Sequence, residues 1–132
     1  MGFDPQTIFA NLAEKERIKG HHSAEGRTIR MLTRALQGLS SGDLSRRDVV
    51  VLCHQAMEDW LKAKCKISPW STRAISALLL TAVEQRWIIR LEAVRLQRIH
   101  HLHAALDSGA DIQAQQVESM LEFCLELLEK RW

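Results

Sequence analysis

Apolar residues recur along this chain at helical spacing from one end to the other. Ile8, Phe9, Leu12 and Ile18 give a partial stripe, and Asp4 before Pro5 offers an N-cap and a first helical residue, which predicts a helix over residues 5–18. After Gly20-His21-His22, a second helix is expected from Ser23 or Ala24 to Leu39, with Ile29, Leu32, Leu36 and Leu39 on one face and Ser40-Ser41-Gly42 closing it. The clearest stripe follows. Val49, Leu52, Cys53, Ala56, Met57, Trp60 and Leu61 fall three and four apart, with Asp43 or Ser45 as cap and Glu58 and Lys62 placed as an i,i+4 pair. Pro69, at the end of Cys65-Lys66-Ile67-Ser68-Pro69, marks the break. From Ser71 to Leu106 no glycine or proline intervenes, so the pattern predicts one long helix, bent or split near its histidines. Its apolar candidates for burial are Ile75, Leu78, Leu79, Ala82, Trp87, Ile88, Leu91, Val94, Leu102 and Leu106. Asp107-Ser108-Gly109 stops it, and a last helix from about Asp111 carries Val117, Met120, Leu121, Cys124, Leu127 and Leu128. Strand signals are almost absent. Short links between amphipathic segments favour antiparallel neighbours, so the expected fold is all-α, an up-and-down four-helix bundle with an extra N-terminal helix.

Composition changes this picture little. A length of 132 residues suits one domain, and hydrophobic and charged fractions of 46% and 26% are those of a folded protein rather than a disordered one. The net charge of +2 is unevenly spread. Arg86, Arg90, Arg95 and Arg98 face only Glu92 between residues 86 and 103, whereas residues 107–129 hold six acids and no base. Such a stripe can meet phosphates, but it lacks the density of a dedicated DNA-binding face. Three widely spaced cysteines, Cys53, Cys65 and Cys124, form no CxxC pair and sit in helical patterns, which predicts reduced, apolar-packed thiols. The N-terminus has neither a signal-peptide pattern nor the Ser or Thr that myristoylation needs, and no apolar run is long enough for a membrane span. A cytoplasmic protein with no membrane partner is expected.

The candidate chemistry lies in Arg95-Leu96-Gln97-Arg98-Ile99-His100-His101-Leu102-His103. Histidine titrates near neutrality and can give or take a proton at working pH, while arginine offers a planar permanent charge to phosphate oxygens. Together they hold what metal-free RNA cleavage requires. The plainer reading is a solvated, partly basic helix face ending in histidines near a helix C-terminus. A metal site is a third reading, with His100 and His103 on one face and His54, His21 or His22 completing it. No HExxH is present and carboxylates nearby are few, so no metal and no cofactor are expected. His54 lies beside the core stripe and reads as a partner-bonded or surface histidine. Trp60, Trp70 and Trp87 read as core or helix-packing residues, and the absence of Tyr makes the chain a poor match to sheet-based RNA-binding modules. No Gly-rich phosphate loop and no GxSxG is found.

The block Gln55-Ala56-Met57-Glu58-Asp59-Trp60-Leu61-Lys62-Ala63 resembles the A-x-E-x-x-L-K-A helix of HEPN domains. These are small helical bundles of prokaryotic toxins, antiphage defence systems and nucleotidyltransferase partners. Arg98 to His103 matches the family's R-x4-6-H signature, followed as in the family by a short polar link and a closing amphipathic helix. Arg95 to His100 and Arg95 to His101 fit the same signature. The resemblance covers residues 45–132 as a HEPN-like core within a single domain of residues 1–132, with 1–44 as an N-terminal helical extension. It implies a domain that acts on or binds RNA, as a metal-independent endoribonuclease with Arg98 as phosphate clamp and His103 as general acid or base. Arg95, His100 and Glu58 would be supporting residues. Residues five apart stand about 140° apart on a straight helix, so Arg98 and His103 would converge at a helix end, at a bend or across a homodimer, the assembly the family often uses. Ile99 stands where active members usually carry a polar residue, and on that ground the alternative is a non-catalytic interaction module for a protein or nucleotide partner.

Overall fold

The computed structural model describes residues 5–20, 23–68, 70–109 and 111–131. Six α-helices and one 3-10 turn make up the fold, and no strand occurs among the described residues. They are α1 (Pro5–Lys19), α2 (Ala24–Ser41), α3 (Arg46–Lys64), α4 (Ile75–Glu84), α5 (Arg90–Ala105) and α6 (Ala114–Arg131), with the 3-10 turn Leu106–Ser108 after α5. The expected all-helical class holds. The Asp4 cap, the Pro69 break and the histidines His21 and His22 lie outside the described residues, as do the side chains of Ile8 and Phe9.

Helix starts follow the capping chemistry of the sequence. Ser23 accepts from the Gly26 N–H at 2.9 Å and caps α2. Ser45 caps α3 in a reciprocal box, accepting from the Asp48 N–H at 3.1 Å while Asp48 accepts from the Ser45 N–H at 3.3 Å. Gly42 closes α2 at a φ of 79°, a left-handed conformation that glycine adopts without steric cost.

The long helix expected after Ser71 is two helices, and the break lies at residues 85–89 rather than near the histidines. Arg86 sits in the left-handed region at a φ of 65°, its N–H bonds the Val83 carbonyl at 3.1 Å, and the Trp87 N–H reaches the Ala82 carbonyl at 2.9 Å. This is a Schellman closure made without glycine. The chain restarts at once, because Glu92 Oε1 accepts from the Ile89 N–H at 3.0 Å. Glu92, itself buried, also takes Arg131 Nε on its two oxygens at 3.1 and 3.2 Å, tying the start of α5 to the end of α6. A second such closure ends α3: Lys66 has a φ of 57°, and the Ile67 N–H bonds the Lys62 carbonyl at 2.8 Å.

α3 is the central element, packing against α2, α4, α5 and α6, with α1 laid on α2 and α6. One continuous apolar cluster joins Leu12 of α1, Ile29, Leu32 and Ala35 of α2, Val49, Cys53, Met57 and Trp60 of α3, Leu96 and Ile99 of α5, and Leu121, Cys124 and Leu128 of α6. The split at residue 86 re-aims α5. Leu96 and Ile99 turn inward, whereas Leu91 and Val94, expected in the core, are 66% and 46% exposed. Trp87 is likewise 37% exposed, beneath the Lys64 ammonium, and Trp70 is 90% exposed, so of the three tryptophans read as packing residues only Trp60 is buried.

Candidate functional site

α5 carries every sequence-predicted site residue except Glu58, and it presents them on two opposite flanks. Its outer flank faces a groove of about 890 Å³ between α5 and α6. Arg95, Arg98 and His101 line this groove from α5, and Gln113, Gln116 and Ser119 line it from α6 and the link before it. Ile99, Leu102, Met120 and Phe123 form its apolar floor. The Arg95 guanidinium sits over the Phe123 ring in a cation–π contact, with Cζ 4.2 Å from the ring centroid. Gln97 Nε2 stands 3.2 Å from His101 Nε2. The contact ties the His101 ring to the side chain one turn earlier on its own helix.

The inner flank of α5 meets α3. His54 Nε2 lies 3.1 Å from His100 Nδ1, and the His103 ring stacks on the His54 ring at 4.0 Å between centroids and 5° between planes. Spacing explains the pairing: His100 and His103 are three apart on α5 and so share a face. All three rings are half-buried. Burial and the neighbouring His103 and His100 rings lower the His54 pKa to about 4, with the Glu58 carboxylate opposing them. Glu58 stands one turn along α3 from His54, in the anticipated ion pair with Lys62 at 3.5 Å; Lys62 in turn donates to the Ser71 carbonyl at 3.0 Å. Among the described residues, no group of three or more His, Cys, Asp or Glu side chains is arranged to hold a metal ion.

The predicted residues therefore separate into two sets. Arg98 and Arg95 share the outer groove, while His103, His100 and Glu58 gather with His54 on the inner seam. Within one chain Arg98 and His103 do not face one another. The histidine that shares the groove with Arg98 is His101, which the predicted set omitted although its i,i+3 spacing from Arg98 places both on one helix face. His54 enters through a tertiary contact that no local pattern encodes. Compared with known proteins, the chain matches no family model, no curated protein and no solved structure.

Proposed function

We propose that this chain is a HEPN-like domain that binds single-stranded RNA in the groove between α5 and α6. The observation that carries this reading is the convergence of Arg95, Arg98 and His101 on one open groove with an apolar floor. The two guanidinium groups suit adjacent phosphates, and the floor with its arginine-capped Phe123 suits an unpaired base. In the enzymatic form of this reading His101 replaces His103 as the proton-transfer group. Its imidazole takes the ribose 2′-hydroxyl proton, O2′ bonds to phosphorus, and the P–O5′ bond breaks. The products are a 2′,3′-cyclic phosphate and a 5′-hydroxyl, to which the imidazolium returns the proton, while Arg98 offsets charge on the phosphoryl oxygens. No metal takes part. Leu91 and Val94, exposed on the same face of α5 as Arg98, support pairing of two copies along α5, so that two grooves would be neighbours. The HEPN reading also implies an up-and-down course for the helices of the core, which the short link of residues 42–45 and the packing of α3 on α5 and α6 support.

Binding and cleavage of a short unstructured RNA, measured in chelator over a salt series, test the reading. With two arginines on two phosphates, log affinity is expected to fall with log salt at a slope of roughly −0.7 per contact, and Arg98→Ala to remove about one contact from that slope. His101→Ala is expected to abolish cleavage and to spare binding, whereas His103→Ala, on the other flank, is expected to cleave. An affinity for RNA that Arg98→Ala leaves unchanged would count against the groove. A second reading, a docking site for a protein partner, draws on the apolar floor of the same groove together with Ile99. Capture of a partner with no measurable RNA affinity would favour it.

A further inference from the structure

We propose that His54, His100 and His103 form an acid-sensitive latch between α3 and α5, closed while the cluster carries at most one extra proton and opened by the second. The inference is independent of RNA, because none of these rings lines the outer groove.

Geometry limits how much charge the cluster can hold. The 3.1 Å contact between His54 Nε2 and His100 Nδ1 needs one N–H and one lone pair. A neutral pair satisfies it, and so does a pair that shares one extra proton. Two imidazolium rings would turn N–H against N–H and break it. The stack adds a second constraint, since His103 lies face to face with His54 at 4.0 Å. Two positive rings at that distance repel, and half-burial limits the solvent screening that would relieve them. Little near the latch neutralises the charge. From α3, the Glu58 carboxylate acts on His54 against these effects, and it is already engaged by Lys62. Arg47, two turns earlier on α3, is positive and donates to the Leu106 carbonyl at 3.1 Å, close to the end of α5. From α5 come His100 and His103 themselves, and among the described residues the groups that act most on His54 include none from α2, α4 or α6. On α2 the Arg27 charge instead acts on Asp59.

The sign of the pH dependence follows from His54. Its folded pKa of about 4 is depressed from the ordinary 6.5, so between these values the unfolded chain binds the proton and the folded chain does not. The stabilisation is fully present above 6.5 and is lost as pH falls towards 4. The seam it holds is the C-terminal half of α5, so acid frees that half from α3.

Urea unfolding of the full chain at about pH 7.5 and about pH 5, together with NMR titration of the histidine rings, tests the latch. Part-exposure of His54 tempers the effect, and the folding constant of the wild type is expected to fall roughly tenfold over that interval. His54→Gln is expected to flatten most of the fall and His103→Gln part of it, while His101→Gln, on the opposite flank, keeps it. The His54 ring is expected to titrate well below the ordinary 6.5. A fall in His54→Gln as large as in the wild type overturns the latch, and so does a His54 ring that titrates near 6.5. If His54→Gln does not fold, the ring titration of the wild type decides alone.

Discussion

Trp60 shows how a single residue can be right in kind and imperfect in detail. Its place in the apolar stripe of α3 was legible, because Ala56, Met57 and Ala63, three and four positions away, are apolar. The structure buries it completely, yet among the described residues its indole Nε1–H has no hydrogen-bond partner. A buried donor without an acceptor costs about 1–3 kcal/mol. Trp60→Phe removes that donor while leaving a ring in place, so its loss of volume is largely offset. We expect Trp60→Phe to stay within about 1 kcal/mol of the wild type in urea unfolding, against a loss of roughly 3–5 kcal/mol for Trp60→Ala. A Phe variant as unstable as the Ala variant would show that the indole is held by something other than its volume. Trp70 and Trp87 were not legible in the same way. Each sits in a link between helices, where periodicity stops informing on burial, and each is exposed.

At the scale of the element, helix starts were easier to read than helix stops. Ser45 and Ser23 cap through side-chain oxygens, a chemistry written in residue type. The stops after α3 and α4 depend instead on Lys66 and Arg86 adopting left-handed backbone, which neither residue type advertises. The missing glycine is why residues 71–106 read as one helix, and the misplaced break is why Leu91 and Val94 were assigned to the core. The same physics yields a prediction. A left-handed conformation costs a residue with a Cβ roughly 1 kcal/mol that glycine escapes. Arg86→Gly lies in the closure itself, outside both helix bodies, so the relief outweighs any loss of helix propensity. We expect it to raise stability by about 0.5–1 kcal/mol, read as a higher urea midpoint at unchanged m-value. A lower midpoint would mean that the Arg86 side chain makes contacts whose loss exceeds the strain.

Across the whole molecule, the resemblance to HEPN domains begins at residue 45, but the apolar core does not. Ile29, Leu32 and Ala35 of α2 are buried in the same cluster as Val49, Val50, Cys53 and Ala56 of α3. Sequence periodicity identified both stripes without indicating that they face each other, since which amphipathic faces meet is decided by the length and direction of the links. The contribution of α1 is smaller. Leu12 is its fully buried anchor among the described side chains, supported at the surface by Asn11 and Lys15, which donate to the Glu129 side chain and carbonyl at 2.9 and 2.8 Å. Truncation should therefore be graded. Among the described side chains, removing residues 1–22 strips the buried Leu12 from the core, a loss of about 2–4 kcal/mol, and is expected to leave a folded chain with a lower melting temperature. Removing residues 1–44 uncovers the α2-facing side of α3 along most of its length, and a helix bundle cannot retain its packing with so much apolar surface in water. We expect the fragment of residues 45–132 to aggregate or to lose cooperative unfolding, as judged by circular dichroism and light scattering. If that fragment unfolds cooperatively with near-native stability, α2 is an appendage and residues 45–132 are the folding unit; if only the longer fragment does, α2 belongs to the core with α3.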